Sequence, residues 1–370
     1  MTSVAARDEL VRSVRASAYR IPTDAPESDG TLSWDATTVV VVRVAAAGEE
    51  GLGYTYGHDC LVGLVESLLA DEVTGHDPLD VQAAQTRMVR AVRNLGGTGL
   101  ASLAISAVDV ALWDLKARLL GVPLVELMGA QHRSVPVYGS GGFTSYDDRQ
   151  LTDQLAGWVD SGIPRVKIKV GRDPTADRHR LMVARRAIGP HAELFVDANG
   201  AFEVAAALDW ARVYRDEFAV VWFEEPVSSD DVDGMCEVRA GAPGGLDIAA
   251  GEYAWNPWAA RRLLAARAVD CLQLDVTRCL GITGFLAAAA VAEAAQVDVS
   301  GHCAPQLTAQ VGAAVRRMRH LEYFHDHVRA ERMLFDGVLA PVHGSLVPDR
   351  GRAGHGLALI EQRAEGYRVA

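Results

Sequence analysis

The sequence predicts an α/β protein, with a parallel barrel preceded by a smaller α+β domain. Three observations carry this. Seven short apolar runs recur through the later part of the chain, at Arg165–Val170, Glu193–Asp197, Val220–Glu224, Asp247–Glu252, Asp270–Asp275, Val297–His302 and His320–Phe324. Alanine-rich segments of helical character fill most of the gaps between them. The runs close on or beside polar residues, Lys169, Asp197, Glu224, Glu252, Asp275, His302 and Glu322, which subtraction of residue numbers places 20 to 28 apart. A strand plus its crossover helix takes about 30 residues, and a chain that repeats the unit builds a parallel sheet or barrel. The 370 residues are 49% hydrophobic, enough for a large core and two domains. In a parallel barrel the C-terminal strand ends meet at one mouth, where active sites lie. The pattern therefore places one histidine, one lysine and five carboxylates around a single cavity.

The elements before the repeat differ in character. Pro22–Asp29 is rich in proline and acids and reads as a mobile loop. Thr37–Ala46 is β-rich and apolar, one strand of a small antiparallel sheet. Gly51–Asp59 combines three glycines with Tyr54, Tyr56 and His58. It reads either as a lid that contacts substrate or as a hairpin turn with surface tyrosines. Leu61–Leu69 and Val81–Asn94 are helical in pattern, as is Ser102–Leu120, which Gly121 closes and Pro123 follows. The first domain spans residues 1–133. Val135–Ser140 supplies the first barrel strand and brings the total to eight, with Ser140 at its end as a further candidate substrate contact. The barrel spans 134–332. Residues 333–370, rich in glycine and proline, form an extended segment that returns to the first domain. Gly-Gly-Thr-Gly at 96–99 does not follow a strand in a nucleotide-binding unit, so a phosphate loop is disfavoured.

Charge and cysteine usage narrow the function. A net charge of −12 and a pI near 5.4 disfavour nucleic acid or an anionic membrane surface as partner. They leave an anionic small molecule open, because lysines and a metal can invert the field inside a cleft. Five cysteines are dispersed with no Cys-x-x-Cys pair, which suits a reducing cytoplasm. Met1–Arg20 has no apolar signal core, and no run reaches the ~18 apolar residues of a membrane span.

The strand ends then suggest chemistry. Lys167 and Lys169 lie two apart on one strand, so both face the interior while Val166, Ile168 and Val170 face the helices. Like charges at that spacing are expected to drive one lysine toward neutrality, as a general base requires. Asp197, Glu224 and Glu252 end three consecutive strands. Three converging carboxylates repel unless a hard divalent cation sits among them, and all-oxygen donors favour Mg²⁺ over Zn²⁺. Asn199, on the face of Asp197, is a candidate substrate or supporting contact. Asp275 and His302 end adjacent strands, where an aspartate fixes the histidine tautomer and stabilises its imidazolium form. Glu322 faces the same cavity. His320, His325 and His327 share no inward period and read as structural or peripheral.

Taken together, Lys-x-Lys, Asp-x-Asn, Glu-Glu-Pro, Gly-Glu, Asp-Val-Thr-Arg, His and Glu resemble the motif order of the mandelate racemase subgroup of the enolase superfamily, the mandelate racemase/muconate lactonizing enzyme family. The resemblance covers nearly the whole chain: Ala104–Leu127 is similar to the last helix of that family's capping domain, and Pro348–Leu357 to its C-terminal return. It implies a modified TIM barrel, (β/α)₇β, under an N-terminal α+β capping domain. It also implies Mg²⁺ on Asp197, Glu224 and Glu252, and removal of the proton α to a carboxylate. Lys169 would then be the base on one face of the substrate and the His302–Asp275 dyad would act on the other. Lys167 and Glu322 would contact the substrate carboxylate or stabilise the enediolate. Arg278 stands where the muconate-lactonizing branch tends to carry a second catalytic lysine, which favours the racemase-like branch. The expected activity is that of a lyase dehydrating a sugar acid. Racemisation or epimerisation of a 2-hydroxy acid or amino-acid derivative is the alternative. A homo-oligomer acting on a small carboxylate is the expected assembly.

Overall fold

A three-stranded antiparallel sheet opens the computed structural model, which describes residues 9–370. Its strands are β1 (Ser13–Ser28), β2 (Ser33–Ala46) and β3 (Glu49–Tyr56), in that order. The valine run of β2 does not alternate with polar residues because both of its faces are covered. Val39 and Val41 pack into the apolar cluster of the barrel, while Val40, Val42 and Val44 pack into a second cluster under helices. A strand buried on both faces reads as a continuous apolar run.

Those helices are α1 (Cys60–Leu64), α2 (Val81–Ala91) and α3 (Leu100–Leu120). α3 is buried along most of its length, and Gly121, at φ 67°, closes it in the left-handed conformation that glycine adopts freely. Pro123 then leads into the short α4 (Leu124–Leu127). Gly51 and Gly53 let β3 lie directly on α3. A Cβ on Gly53 would stand 2.1 Å from the carbonyl oxygen of Ala107.

Two expectations fail here. The Pro22–Asp29 segment is not a mobile loop but largely strand: β1 runs to Ser28, with a register shift between Pro22 and Glu27. Its prolines are tolerated because β1 is an edge strand, and the Trp34 indole donating to Glu27 (2.7 Å) ties its end down. Gly51–Tyr56 is likewise a buried strand rather than a lid or an exposed turn.

The barrel follows as β4 (Val135–Gly141), α5 (Asp148–Asp160), β5 (Arg165–Lys169), α6 (Pro174–Ile188), β6 (Glu193–Asp197), α7 (Val204–Phe218), β7 (Val220–Glu224) and α8 (Val232–Gly241). It continues through β8 (Asp247–Ala250), α9 (Pro257–Ala266), β9 (Cys271–Leu274), α10 (Gly281–Ala294), β10 (Asp298–Gly301), α11 (Pro305–Gly312) and β11 (Met318–Phe324). The eight strands are parallel, and β11 closes on β4 with Glu322 opposite Tyr138. Tyr138, Phe195, Trp222 and His320 fill the interior below the active end. Gln273 donates to the Tyr138 hydroxyl (3.0 Å) and Ser300 pairs with His320 (2.9 Å), which gives the Tyr138 hydroxyl and His320 Nδ1 partners inside the plug.

After the eighth strand, α12 (His325–Leu334) packs across β2, and β12 (Phe335–Asp336) leads out of the barrel. β13 (Ser345–Leu346) pairs antiparallel with β4, β14 (Ala358–Leu359) pairs with β12, and α13 (Glu361–Ala364) follows. The tail then reaches the first sheet, where Ala18 donates to the Ala370 carbonyl (2.8 Å). Among the described residues no helix is long and apolar enough to cross a membrane.

Candidate active site

Strand register brings the charged residues together. On β5 and β6, Lys169 stands opposite Asp197, and on β6 and β7, Asp197 stands opposite Glu224. Glu252 lies two residues beyond β8, while Asp275 and His302 each follow their strands directly. The carboxylates of Asp197, Glu224 and Glu252 are buried, and their oxygens lie within 4.8 Å of one another.

A basic side chain holds one oxygen of each. Lys169 Nζ is 2.6 Å from Asp197 Oδ2, Lys167 Nζ is 2.6 Å from Glu224 Oε1, and Arg278 Nη1 is 3.0 Å from Glu252 Oε1. The Asn199 backbone N–H donates to Asp197 Oδ1 (2.9 Å) and the Trp222 indole to Glu224 Oε2 (2.9 Å). Glu252 Oε2 is buried with no hydrogen-bond partner. An orphaned oxygen in a convergent set of hard donors fits a divalent cation such as Mg²⁺.

The second constellation faces the first. His302 Nδ1 lies 2.7 Å from Asp275 Oδ2, and Thr277 donates its amide and its hydroxyl to Asp275 Oδ1, each at 2.7 Å. His302 Nε2 is left pointing at Glu252 Oε2, 3.3 Å away. Glu322 Oε1 accepts from Ser140 (2.6 Å) and Lys167 (2.8 Å), and its Oε2 accepts from the Cys303 amide (3.0 Å).

The charges set the protonation states. Burial works to lower the His302 pKa, but the charges of Glu252 and Glu322 and the Asp275 hydrogen bond hold it above its ordinary value. Burial opposes ionisation of Asp275, yet His302, Arg278 and Thr277 hold its pKa down. Both shifts favour the imidazolium–carboxylate form of the dyad. The lysines depart from expectation. Rather than one falling toward neutrality, both are raised: burial would lower them, but Glu224 and Glu322 outweigh it at Lys167, and Asp197 does so at Lys169. The like-charge repulsion is real but smaller than the pull of three surrounding carboxylates, Asp197, Glu224 and Glu322.

Lys169, Asn199, Glu252, Arg278, His302 and Glu322 line a common cavity of about 290 Å³. The first domain supplies its opposite wall with Asp29, Leu32, Trp34, Thr37 and Tyr56. Three of the expected substrate contacts fall elsewhere. Tyr54 is fully buried with its hydroxyl on Glu331, His58 is exposed beside Asp59, and Ser140 is fully buried under Glu322. Tyr56 does reach the cavity, stacked on His327. His327 is therefore no peripheral histidine. Its place at the first turn of α12, just past a barrel strand, was the available signal.

Fold and site together define an enolase-superfamily enzyme. Residues 14–129 match the mandelate racemase/muconate lactonizing enzyme N-terminal domain, and residues 150–363 match the enolase C-terminal domain-like family. The chain belongs to the mandelate racemase/muconate lactonizing enzyme family. It is 32% identical to the L-talarate/galactarate dehydratase of Salmonella typhimurium over 284 residues, 75% of this chain and 70% of that one. A mandelate racemase/muconate lactonizing enzyme-like protein from Rubrobacter xylanophilus superposes with a TM-score of 0.95 at 51% identity, covering 97% of this chain and 100% of that one. A racemase from Streptomyces coelicolor, solved with bound magnesium, superposes at 0.91 with 30% identity, over 97% and 100% of the two chains. Further curated relatives are sugar-acid dehydratases and cycloisomerases.

Proposed function

We propose that the protein dehydrates a sugar acid to a 2-keto-3-deoxy acid in the presence of Mg²⁺. The observation that carries this reading is that Lys169 and His302, the latter held by Asp275, line one cavity, each beside a different carboxylate of the triad. Magnesium held by Asp197, Glu224 and Glu252 would supply positive charge to the substrate carboxylate as the α-proton leaves. With the Asp197 carboxylate that keeps Lys169 protonated offset by the cation, Lys169 in its neutral form accepts that proton while the Cα–H electron pair passes into the enediolate. Lys167, fixed between Glu224 and Glu322, adds a stationary positive charge beside it. His302, protonated at rest, gives its Nε2 proton to the β-hydroxyl. The Cβ–O bond breaks, water departs and the resulting enol becomes the keto acid. A resting imidazolium suits an acid better than a base, which favours dehydration over racemisation. The five free thiols suit a reducing compartment such as the cytoplasm.

Racemisation uses the same two groups, and the similarity to a solved racemase supports it as the second reading. The test is keto-acid formation across a broad sugar-acid library with Mg²⁺, run beside polarimetry. Keto acid from one or more members is the expected result. Inversion of a 2-hydroxy acid or amino-acid derivative with no keto acid would replace dehydration with racemisation.

A further inference from the structure

Beside the carboxylate triad lies a second set of donors of different chemical character. Cys303 Sγ is 3.4 Å from His302 Nε2 and 3.3 Å from Glu322 Oε2, and Nε2 is 3.6 Å from that same Oε2. All three side chains are buried, yet all line the cavity. Zinc binds sulfur at about 2.3 Å, imidazole nitrogen at about 2.0–2.1 Å and carboxylate oxygen at about 2.0–2.2 Å, and tetrahedral angles then put such donors roughly 3.4–3.6 Å apart. The triangle's edges lie within about 0.3 Å of these spacings.

The backbone builds the triangle. Cys303 and Ala304 take φ of 48° and 40°, a left-handed turn that residues with a Cβ adopt at a cost. The turn folds the thiol back beside the ring it follows and aims the Cys303 amide at Glu322. Asp275 holds Nδ1 of His302, the carboxylate–histidine arrangement that presents Nε2 to a metal. All three residues line the cavity, from which water could supply a fourth donor.

We propose that His302 Nε2, Cys303 Sγ and Glu322 Oε2 form a second cation site, selective for zinc over magnesium, whose occupancy switches the enzyme off. Nitrogen and sulfur donors suit a borderline-soft ion, whereas the all-oxygen triad suits magnesium. Coordination displaces two protons to solvent, one from the Cys303 thiol and one from His302 Nε2, and so removes the proton meant for the leaving hydroxyl. The switch, though not the site, rests on His302 acting as that acid.

The test uses the full chain saturated with Mg²⁺. Zinc is titrated against a chromophoric chelator, and Co²⁺ serves as a spectroscopic probe through its thiolate charge-transfer absorption. One equivalent of zinc should bind despite excess magnesium, cobalt should show the thiolate band, and turnover should fall with occupancy. Cys303→Ala should abolish the band and weaken zinc by about tenfold or more, with inhibition scored against its own zinc-free rate. Cys303→Ser, close to isosteric, serves if the alanine variant is poorly folded. Zinc that excess magnesium displaces, or binding and cobalt spectra unchanged in both variants, would overturn the site. A cobalt band with zinc-insensitive turnover would overturn the switch, and with it His302 as the acid, while leaving the site standing.

Discussion

Glu331 on α12 offers a pH signature that can be worked out in advance. It is buried, its Oε1 accepts the hydroxyls of Tyr54 (2.6 Å) and Tyr56 (3.2 Å), and its Oε2 meets no donor. Burial pushes its pKa from 4.5 up to about 8, against the hydrogen bonds of the two tyrosines. A carboxyl raised on folding contributes stability that is fully present below its unfolded pKa and is lost as pH rises through the folded value. The window here runs from 4.5 to about 8. At about 1.4 kcal/mol per pH unit, the ceiling is about 5 kcal/mol. In a chain of this size that corresponds to roughly 6 °C in thermal midpoint. Glu331→Gln keeps the oxygen facing the tyrosines and removes the ionisation. Thermal unfolding followed by circular dichroism should show a fixed offset between variant and wild type at acid pH. The difference should then grow in favour of the variant toward alkaline pH. Glu27 and Asp109, also raised by burial, titrate in both proteins and cancel in the difference. Two pH profiles that stay parallel across the window would refute the reasoning.

Other expectations follow from the same structure. Asp197→Asn should weaken Mg²⁺ binding by calorimetry and lower turnover by about 10² or more; undiminished activity in a metal-stripped, chelator-treated sample would contradict the triad. In D₂O, Lys169→Ala and His302→Asn should each lose α-proton exchange on one face of the substrate by about 10²–10⁴-fold; a single variant retaining both exchanges would break the two-face assignment. Gly53→Ala should cost roughly 1–3 kcal/mol by forcing β3 off α3. Gly63→Ala, whose Cβ would meet nothing within 4 Å, should not destabilise, and equal effects at both glycines would deny the close contact.

Much of the barrel and its mouth was legible because one period governs both. A strand that repeats every 20 to 28 residues fixes where its last inward residue lies, so Asp197, Glu224, Asp275 and His302 could be placed at one end of the barrel from spacing alone. The first domain carries no such period. Tyr54 and Tyr56 sit in a glycine-rich strand whose local composition resembles a turn, and only the closeness of α3 explains those glycines. The hairpin that walls the cavity, with Asp29, Leu32 and Trp34, has no local signal because its partners are distant in sequence. The lysine charges were misjudged for a related reason. Two like charges are visible side by side in the sequence, but the carboxylates that outweigh them come from three other strands.

The aromatic plug of Tyr138, Phe195, Trp222 and His320 closes the barrel from below, with Phe195 and Trp222 stacked 5.4 Å apart. The cavity consequently does not continue down the barrel axis, and the β1–β2 hairpin forms its outer wall. Under the proposed function, product formed between Lys169 and His302 lies where the next substrate must bind, so product is expected to inhibit competitively.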